Sequence, residues 1–156
     1  MRRLITVQDT FQVTGRGLVV VPGPLRDDVA GTGSLAVELR KPTGERVQAR
    51  LALVHTHQSP PAPPEIAKRW TSILRGVVKA DVPIGTEVWE LDELESAKLL
   101  AEDRALFMRA WEESSGDGAS NVRCDVCGSP IAFRKQGTVT FHSCDCGKFT
   151  GTLKGL

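Results

Sequence analysis

Residues 124–128 read Cys-Asp-Val-Cys-Gly, and residues 144–147 read Cys-Asp-Cys-Gly. These two stretches hold all four cysteines of the chain: Cys124, Cys127, Cys144 and Cys146. Two thiols on one tight turn can point at a single atom, and four thiolates suit a tetrahedral metal ion at about 2.3 Å. The glycine after each pair lets the backbone turn around the metal. The spacing therefore predicts a metal centre.

The residues between the cysteine pairs predict a β-hairpin, with strands at 131–134 and 138–141 and a turn at 135–137. A hairpin between two cysteine turns resembles a zinc ribbon, although the second pair has one spacer residue and the first has two. Four cysteines leave no coordination position for water, so the resemblance implies a structural Zn²⁺. Two disulfides are the alternative, but they are rare in the cytoplasm. His142 is expected on the hairpin face or beside a thiolate.

Composition indicates a soluble protein with an uneven distribution of charge. No run of 18 apolar residues is present, and Arg3 is followed by only two apolar residues before Thr6. We therefore expect no membrane segment, no secretory signal and a cytoplasmic location. Residues 1–89 carry 12 Lys/Arg and 8 Asp/Glu, residues 90–120 carry 3 and 9, and residues 121–156 carry 5 and 2. This pattern favours three segments with different surroundings.

Residues 4–89 show the pattern of short strands separated by turns. Phe11-Gln12-Val13 alternates apolar and polar side chains, and residues 18–21 form a β-branched run. Residues 35–39 and 47–54 flank a Pro-Thr-Gly-Glu turn, which is typical of a hairpin. No convincing helix interrupts them. The prediction is a small closed antiparallel β-barrel.

Two stretches of this region resemble the second domain of translation elongation factor EF-Tu and its relatives. Residues 9–20, Asp-Thr-Phe-Gln-Val-Thr-Gly-Arg-Gly-Leu-Val-Val, are similar to that domain's opening. Residues 74–88, from Leu-Arg-Gly to Gly-Thr-Glu-Val, look like its last two strands. The resemblance covers about the first 90 residues and implies a closed antiparallel barrel.

The same resemblance implies a contact surface for RNA on this barrel. Asp9 and Phe11 occupy positions that help to hold the aminoacyl end of tRNA in the family, and Arg16 matches an arginine of the following turn. The preceding family glutamate is Gln8 here, and residues 68–70 differ from the facing strand of the family. Phe11 could instead fill the barrel core, and Arg16 could bond carbonyl groups across its turn.

Nucleotide hydrolysis is not expected. The chain has no Gly-x-x-x-x-Gly-Lys-Ser/Thr phosphate loop, so we predict a barrel without a GTPase and no nucleoside triphosphate ligand. His55 and His57 could converge on one strand face and bind a metal, but two solvent-facing loop histidines are the simpler interpretation.

Residues 91–113 change to a helical period. Asp92 can cap a helix, and an apolar stripe runs from Leu91 through Leu94, Ala101, Ala105 and Met108 to Trp111. The stripe is broadened by Leu99, Leu100, Leu106 and Phe107. Residues 112–120 are expected to form a flexible linker. The predicted organisation is a barrel at 1–90, a helix and linker at 91–120, and a zinc ribbon at 121–156, in a mainly β protein.

The favoured function is a non-enzymatic RNA- or ribosome-associated accessory protein. Arg134, Lys135 and Lys148 would contribute cations, and at least two of the three phenylalanines at 133, 141 and 149 are needed for the ribbon's own core. The alternative is a protein–protein interaction adaptor that docks a partner on the 91–113 helix. A third possibility is a metal-dependent enzyme that uses the two histidines.

Overall fold

A computed structural model describes residues 1–29, 33–55 and 63–154 of the chain. These residues form a seven-stranded sheet, one long helix and a four-stranded sheet, in that order along the chain. The prediction of a mainly β protein with one main helix is therefore confirmed. Among the described helices, none is both long and apolar enough to cross a membrane.

The seven-stranded sheet is antiparallel throughout. Its strands are β1 (Arg2–Thr6), β2 (Asp9–Val13), β3 (Gly17–Val21), β4 (Gly33–Arg40), β5 (Arg46–Val54), β6 (Thr71–Arg75) and β7 (Glu87–Glu90). They lie in the order β1-β7-β4-β5-β6-β3-β2. Alternate side chains of each strand point to one face. On that face Leu18, Leu39, Leu51, Leu74 and Val88 are fully buried in a common core.

The sheet is not closed into a barrel, so that prediction is wrong. β1 and β2 form its two edges, and no ladder joins these strands, both of which are described throughout. Six antiparallel pairings separate β1 from β2, so the two strands run in the same direction. Parallel neighbours need a connection of a dozen or more residues. The two connecting residues instead bond next to the strand that neighbours each edge: Val7 N–H donates to the Thr86 carbonyl, just before β7, and Gln8 N–H to the Val21 carbonyl of β3.

Among the described residues, two single helical turns interrupt the strands, and the sequence pattern predicted neither of them. The first is α1 (Pro64–Ala67), and the second is a 3₁₀ turn at Lys79–Asp81. α1 begins at a proline, whose fixed φ suits the first helical position. Each of these turns contains too few residues to show a helical period in the sequence.

The long helix, α2 (Glu93–Ser114), agrees with the predicted span and cap. The Asp92 side chain accepts a hydrogen bond from the Glu95 N–H at 2.9 Å. The stretch 112–120, expected to be a linker, is divided among the last turn of α2, three turn residues and the next strand. The turn needs Gly116, because a Cβ there would lie 2.7 Å from the Trp111 ring.

Only part of the predicted apolar face of α2 packs inward: Leu106, Phe107 and Trp111 contact the C-terminal core. Leu94 is 82% exposed and Met108 is also exposed. Asp103 and Ala110 are buried instead, and Phe107 packs beside them against the C-terminal core. The expectation was incomplete because it counted apolar residues only, whereas the inward face of the helix also carries a buried aspartate.

The four-stranded sheet completes the chain and contains the predicted hairpin. Its strands are β8 (Gly118–Arg123), β9 (Pro130–Gln136), β10 (Val139–Ser143) and β11 (Gly151–Lys154), in the antiparallel order β11-β10-β9-β8. Its inner face forms a second core with α2, in which Ile131, Phe133, Phe149 and Ala110 are buried. The chain thus has two described cores, and its predicted division near residues 90 and 120 stays a prediction.

We predict unequal effects for two alanine substitutions on α2. Phe107 lies 5.5 Å from Phe133 and 4.8 Å from His142, centroid to centroid. Phe107→Ala should lower the free energy of unfolding by about 2–4 kcal/mol, because it removes packing from a small core. Leu94→Ala should change it by less than about 0.5 kcal/mol. Urea unfolding of the metal-loaded protein checks both values, and equal effects would contradict the observed helix orientation.

Candidate metal centre

The four cysteines converge at one point beside the second core. Their sulfur atoms all lie within 4.8 Å of one another, and none forms a disulfide. The Sγ atoms of Cys124 and Cys146 are 3.7 Å apart, as are those of Cys144 and Cys146. Four sulfurs at about 2.3 Å from a tetrahedral ion would be separated by about 3.8 Å. A disulfide requires about 2.05 Å. The cluster therefore has the dimensions of a metal site.

Two glycine-ended turns, which we call the first knuckle (124–128) and the second knuckle (144–147), place these sulfurs. In the first, Gly128 N–H donates to the Cys124 carbonyl at 2.9 Å. In the second, Gly147 N–H donates to the Cys144 carbonyl at 3.1 Å. Both glycines have positive φ, which glycine adopts without strain. The second turn closes over one residue fewer, which accommodates the shorter cysteine spacing.

Neighbouring groups donate hydrogen bonds that hold the sulfurs in place. Phe149 N–H donates to Cys144 Sγ at 3.3 Å. The Ser129 hydroxyl lies 3.1 Å from Cys127 Sγ and accepts from the Asp145 N–H, so it links the two knuckles. Outer contacts of this kind orient metal ligands and stabilise their charged forms.

His142 is not part of the cluster. Its Nδ1 lies 2.9 Å from the Phe149 carbonyl oxygen, and its ring packs on Phe107. Burial lowers the pKa of His142. Because the Phe149 N–H donates to Cys144, His142 supports the backbone segment that binds a thiolate. This agrees with the expected position of His142 on the hairpin face or beside a thiolate.

A buried ion-pair network joins the metal site to the rest of the chain. Asp103 on α2 is 4% exposed and lies between Arg50 of β5, at 2.6 Å, and Lys148, at 2.8 Å. The Lys148 Nζ also donates to both Asp125 oxygens, at 2.7 and 2.9 Å. Burial opposes the charge of Lys148, but its bonds to Asp103 and Asp125 raise its pKa. Asp103 therefore ties the first sheet to α2 and, through Lys148 beside the second knuckle, to Asp125 of the first knuckle.

The second knuckle also rests directly on the turn between β2 and β3. Gly15 N–H donates to the Asp145 carbonyl at 3.3 Å. A Cβ at Gly147 would lie 2.4 Å from the Arg16 carbonyl carbon, so only glycine fits this contact. Arg75 Nη1 donates to the Thr150 carbonyl at 3.2 Å. The cysteine turns are therefore docked onto the first sheet.

The predicted binding residues of the first sheet lie on its surface. Asp9 and Arg16 are exposed, and Phe11 is 53% exposed. The alternative that Phe11 fills the core is wrong, because Thr10 takes the inward position of β2 and Phe11 points outward. His55 packs edge-on against Trp70 at 4.7 Å. His57 lies outside the described residues.

The predicted cations of the C-terminal module divide into two groups. Arg134 and Lys135 are exposed on β9. Lys148, expected on the same surface, is buried, and its ammonium is held by two carboxylates. No local pattern predicts this burial, because the partners of Lys148 are 45 and 23 positions away.

One of the three phenylalanines of the module is on its outer face. Phe133 and Phe149 are buried, as the expectation of at least two core aromatics required, and Phe141 is 43% exposed. A shallow groove of about 330 Å³ adjoins Phe141. It is lined by Ala132, Arg134, Gln136, Phe141 and Ser143, which we call the Phe141 face.

Comparison with protein-family models, curated proteins and solved structures finds no match to this chain. The likeness to the second domain of EF-Tu therefore rests on residues 9–20 and 74–88 of the sequence alone. The features that bear on the function of this chain are the candidate metal centre and the surfaces described above.

We predict that metal removal unfolds the C-terminal module. A strong chelator should abolish the near-UV circular dichroism of Trp111, whose ring packs 5.3 Å from Phe133, because the knuckles lose their common anchor. Cys146→Ser should reduce the bound metal to well below one ion per chain, and Ser143→Ala is the matched control. An unchanged near-UV spectrum after complete metal removal would contradict a structural centre.

We also predict a large effect of neutralising Asp103. Asp103→Asn leaves Arg50 without its carboxylate partner and Lys148 with Asp125 alone, and it should lower the free energy of unfolding by about 3–5 kcal/mol. Asp125→Asn is the control, since Asp125 is 55% exposed and its pair should contribute less than about 1 kcal/mol. Urea unfolding of both variants measures the difference. Equal effects would show that the buried network does not couple the parts.

Proposed function

We propose that this chain is a non-enzymatic, cytoplasmic RNA- or ribosome-associated accessory protein with a structural Zn²⁺. The zinc assignment is supported by the donor set, since four thiolates in a tetrahedral arrangement select Zn²⁺ or an iron–sulfur centre. Three of the four cysteines are buried, and all four coordination positions are supplied by the protein. A closed site of this kind stabilises a fold and does not activate water.

The observation that carries the RNA proposal is the exposed cationic surface of the C-terminal module. Its exposed cations are Arg123, Arg134, Lys135 and Lys154. Its two carboxylates beyond residue 120 are Asp125, which is paired with Lys148, and Asp145. Lys148 is itself withdrawn from the surface, so the outward positive charge of the module comes from the four exposed cations on β8, β9 and β11. Clustered exposed cations next to an aromatic residue are typical of nucleic-acid-binding modules.

The first sheet adds support from its turn at residues 15–17. Arg16 is exposed beside the second knuckle, so a ligand on the module could also contact this turn. The resemblance to EF-Tu points to tRNA or ribosomal RNA as the partner, with Asp9 and Phe11 exposed on the neighbouring strand. The chain carries no phosphate-loop motif, which fits an accessory role.

A salt titration tests the proposal. Binding of the zinc-loaded protein to total tRNA and to ribosomes should weaken by at least tenfold between low and physiological salt. The double variant Arg134→Ala/Lys135→Ala should weaken binding and reduce the slope against log salt by about 1–2. Lys98→Ala, on the exposed face of α2, is the control and should bind normally. Undetectable binding at low salt would refute the proposal.

The second candidate function, a protein–protein interaction adaptor, is favoured by the outward face of α2. Leu94, Leu100 and Met108 are exposed there, and a soluble helix usually buries such residues. Leu94→Glu should then abolish binding of a protein partner with little salt dependence and leave RNA binding intact. Phe107 is unsuitable for this test because it belongs to the C-terminal core.

A further inference from the structure

Phe141 occupies the middle of the outer face of the C-terminal sheet. It pairs across β9 with Arg134 and across β11 with Thr152. Its side chain points away from the core that Phe133 and Phe149 fill. A ring that is 43% exposed at the centre of a sheet, and not at its rim, presents a flat apolar surface to a ligand.

The charges around this ring have one sign. Lys154 pairs with Val139, two residues from Phe141 on β10, and therefore lies on the same side of the sheet. Arg134 lies directly across from Phe141 on β9. Among the described strand side chains on this side, Arg134, Lys154 and Arg123, which pairs with Pro130, are cations and none is a carboxylate. The remaining neighbours are small or polar: Ala132, Gln136, Ser143 and Thr152.

This combination fits an unpaired nucleotide better than an RNA duplex. An aromatic ring can stack only on a base whose face is free, and bases in a duplex are already stacked. The shallow groove beside Phe141 has a volume of about 330 Å³ and includes the Gln136 amide and the Ser143 hydroxyl, which can donate to or accept from a base edge. Arg134 and Lys154 lie where the phosphates on either side of a stacked base would pass.

We propose that the Phe141 face, together with Lys154, binds single-stranded RNA by stacking a base on the Phe141 ring. Arg134 and Lys154 contact the adjoining phosphates. This inference rests on the proposed RNA-binding function and specifies its ligand as unpaired RNA. Because every base has a stacking surface, the site tolerates different sequences and prefers purines through their larger rings.

The test compares labelled ten-nucleotide oligoadenylate and oligouridylate with an RNA duplex of the same length, using full-length zinc-loaded protein and fluorescence anisotropy. Both single strands should bind more tightly than the duplex, with adenylate the tighter. Phe141→Ala should weaken single-strand binding by about 5- to 100-fold. Phe11→Ala tests whether the first sheet contributes, and Ile84→Ala, which removes an exposed apolar side chain from the turn before β7, is the control and should leave the affinity unchanged.

A direct readout of stacking comes from Phe141→Trp. This variant should retain single-strand affinity, and its added tryptophan fluorescence should be quenched when oligoadenylate binds. Metal content and near-UV circular dichroism of each variant establish that the module is folded before binding is compared. Normal affinity without quenching would overturn the stacking geometry.

The outcomes separate the two proposals. If the protein binds none of the four ligands (single strands, duplex, tRNA and ribosomes), the RNA-binding function and this inference are both refuted. Equal binding of single strands and duplex, or a folded Phe141→Ala protein that binds like the wild type, overturns the inference and leaves the RNA-binding function standing. If Phe11→Ala weakens RNA binding and Phe141→Ala does not, the binding site lies on the first sheet and the inference is overturned.

Discussion

The arrangement of this protein depends on the ion pairs made by the buried carboxylate of Asp103. It lies where the seven-stranded sheet, α2 and the C-terminal module meet, between Arg50 at 2.6 Å and Lys148 at 2.8 Å. A charge withdrawn from water is tolerated only where its partners are fixed close by. The network therefore constrains the rotation of α2 about its axis and the position of the second knuckle at the same time.

The metal centre and this network depend on each other. Convergence of the cysteines fixes the two knuckles, and the knuckles carry or adjoin Asp125 and Lys148, which are joined at 2.7 Å. A tetrathiolate site bound to a divalent ion keeps a net negative charge, so nearby cations stabilise it. Burial and Arg50 lower the pKa of Arg75, and the negative charge of Cys144 acts against them. Loss of the metal would thus disturb the contact between the module and the first sheet.

Docking of the module also decides which surfaces face solvent. The inner side of the C-terminal sheet is used against α2, where Phe107, Phe133 and Phe149 pack together. Alternation along β10 then leaves Phe141 on the outer side, next to Arg134. The outward surface with aromatic and cationic character follows from the way the inner core is filled. That surface is the basis of the proposed RNA contact.

The sequence by itself determined the features that depend on neighbours in the chain. Cysteine spacing predicted the cluster, and Asp92 predicted the start of α2. Only the tertiary structure decided what depends on distant partners: the open sheet edge, the exposed position of Phe11 and the burial of Lys148. A turn or a cap is fixed by bonds within a few residues. The inward face of a helix depends also on charges that folding brings together. Here Asp103 joins Phe107 and Ala110 on that face because its partners lie on two other parts of the chain.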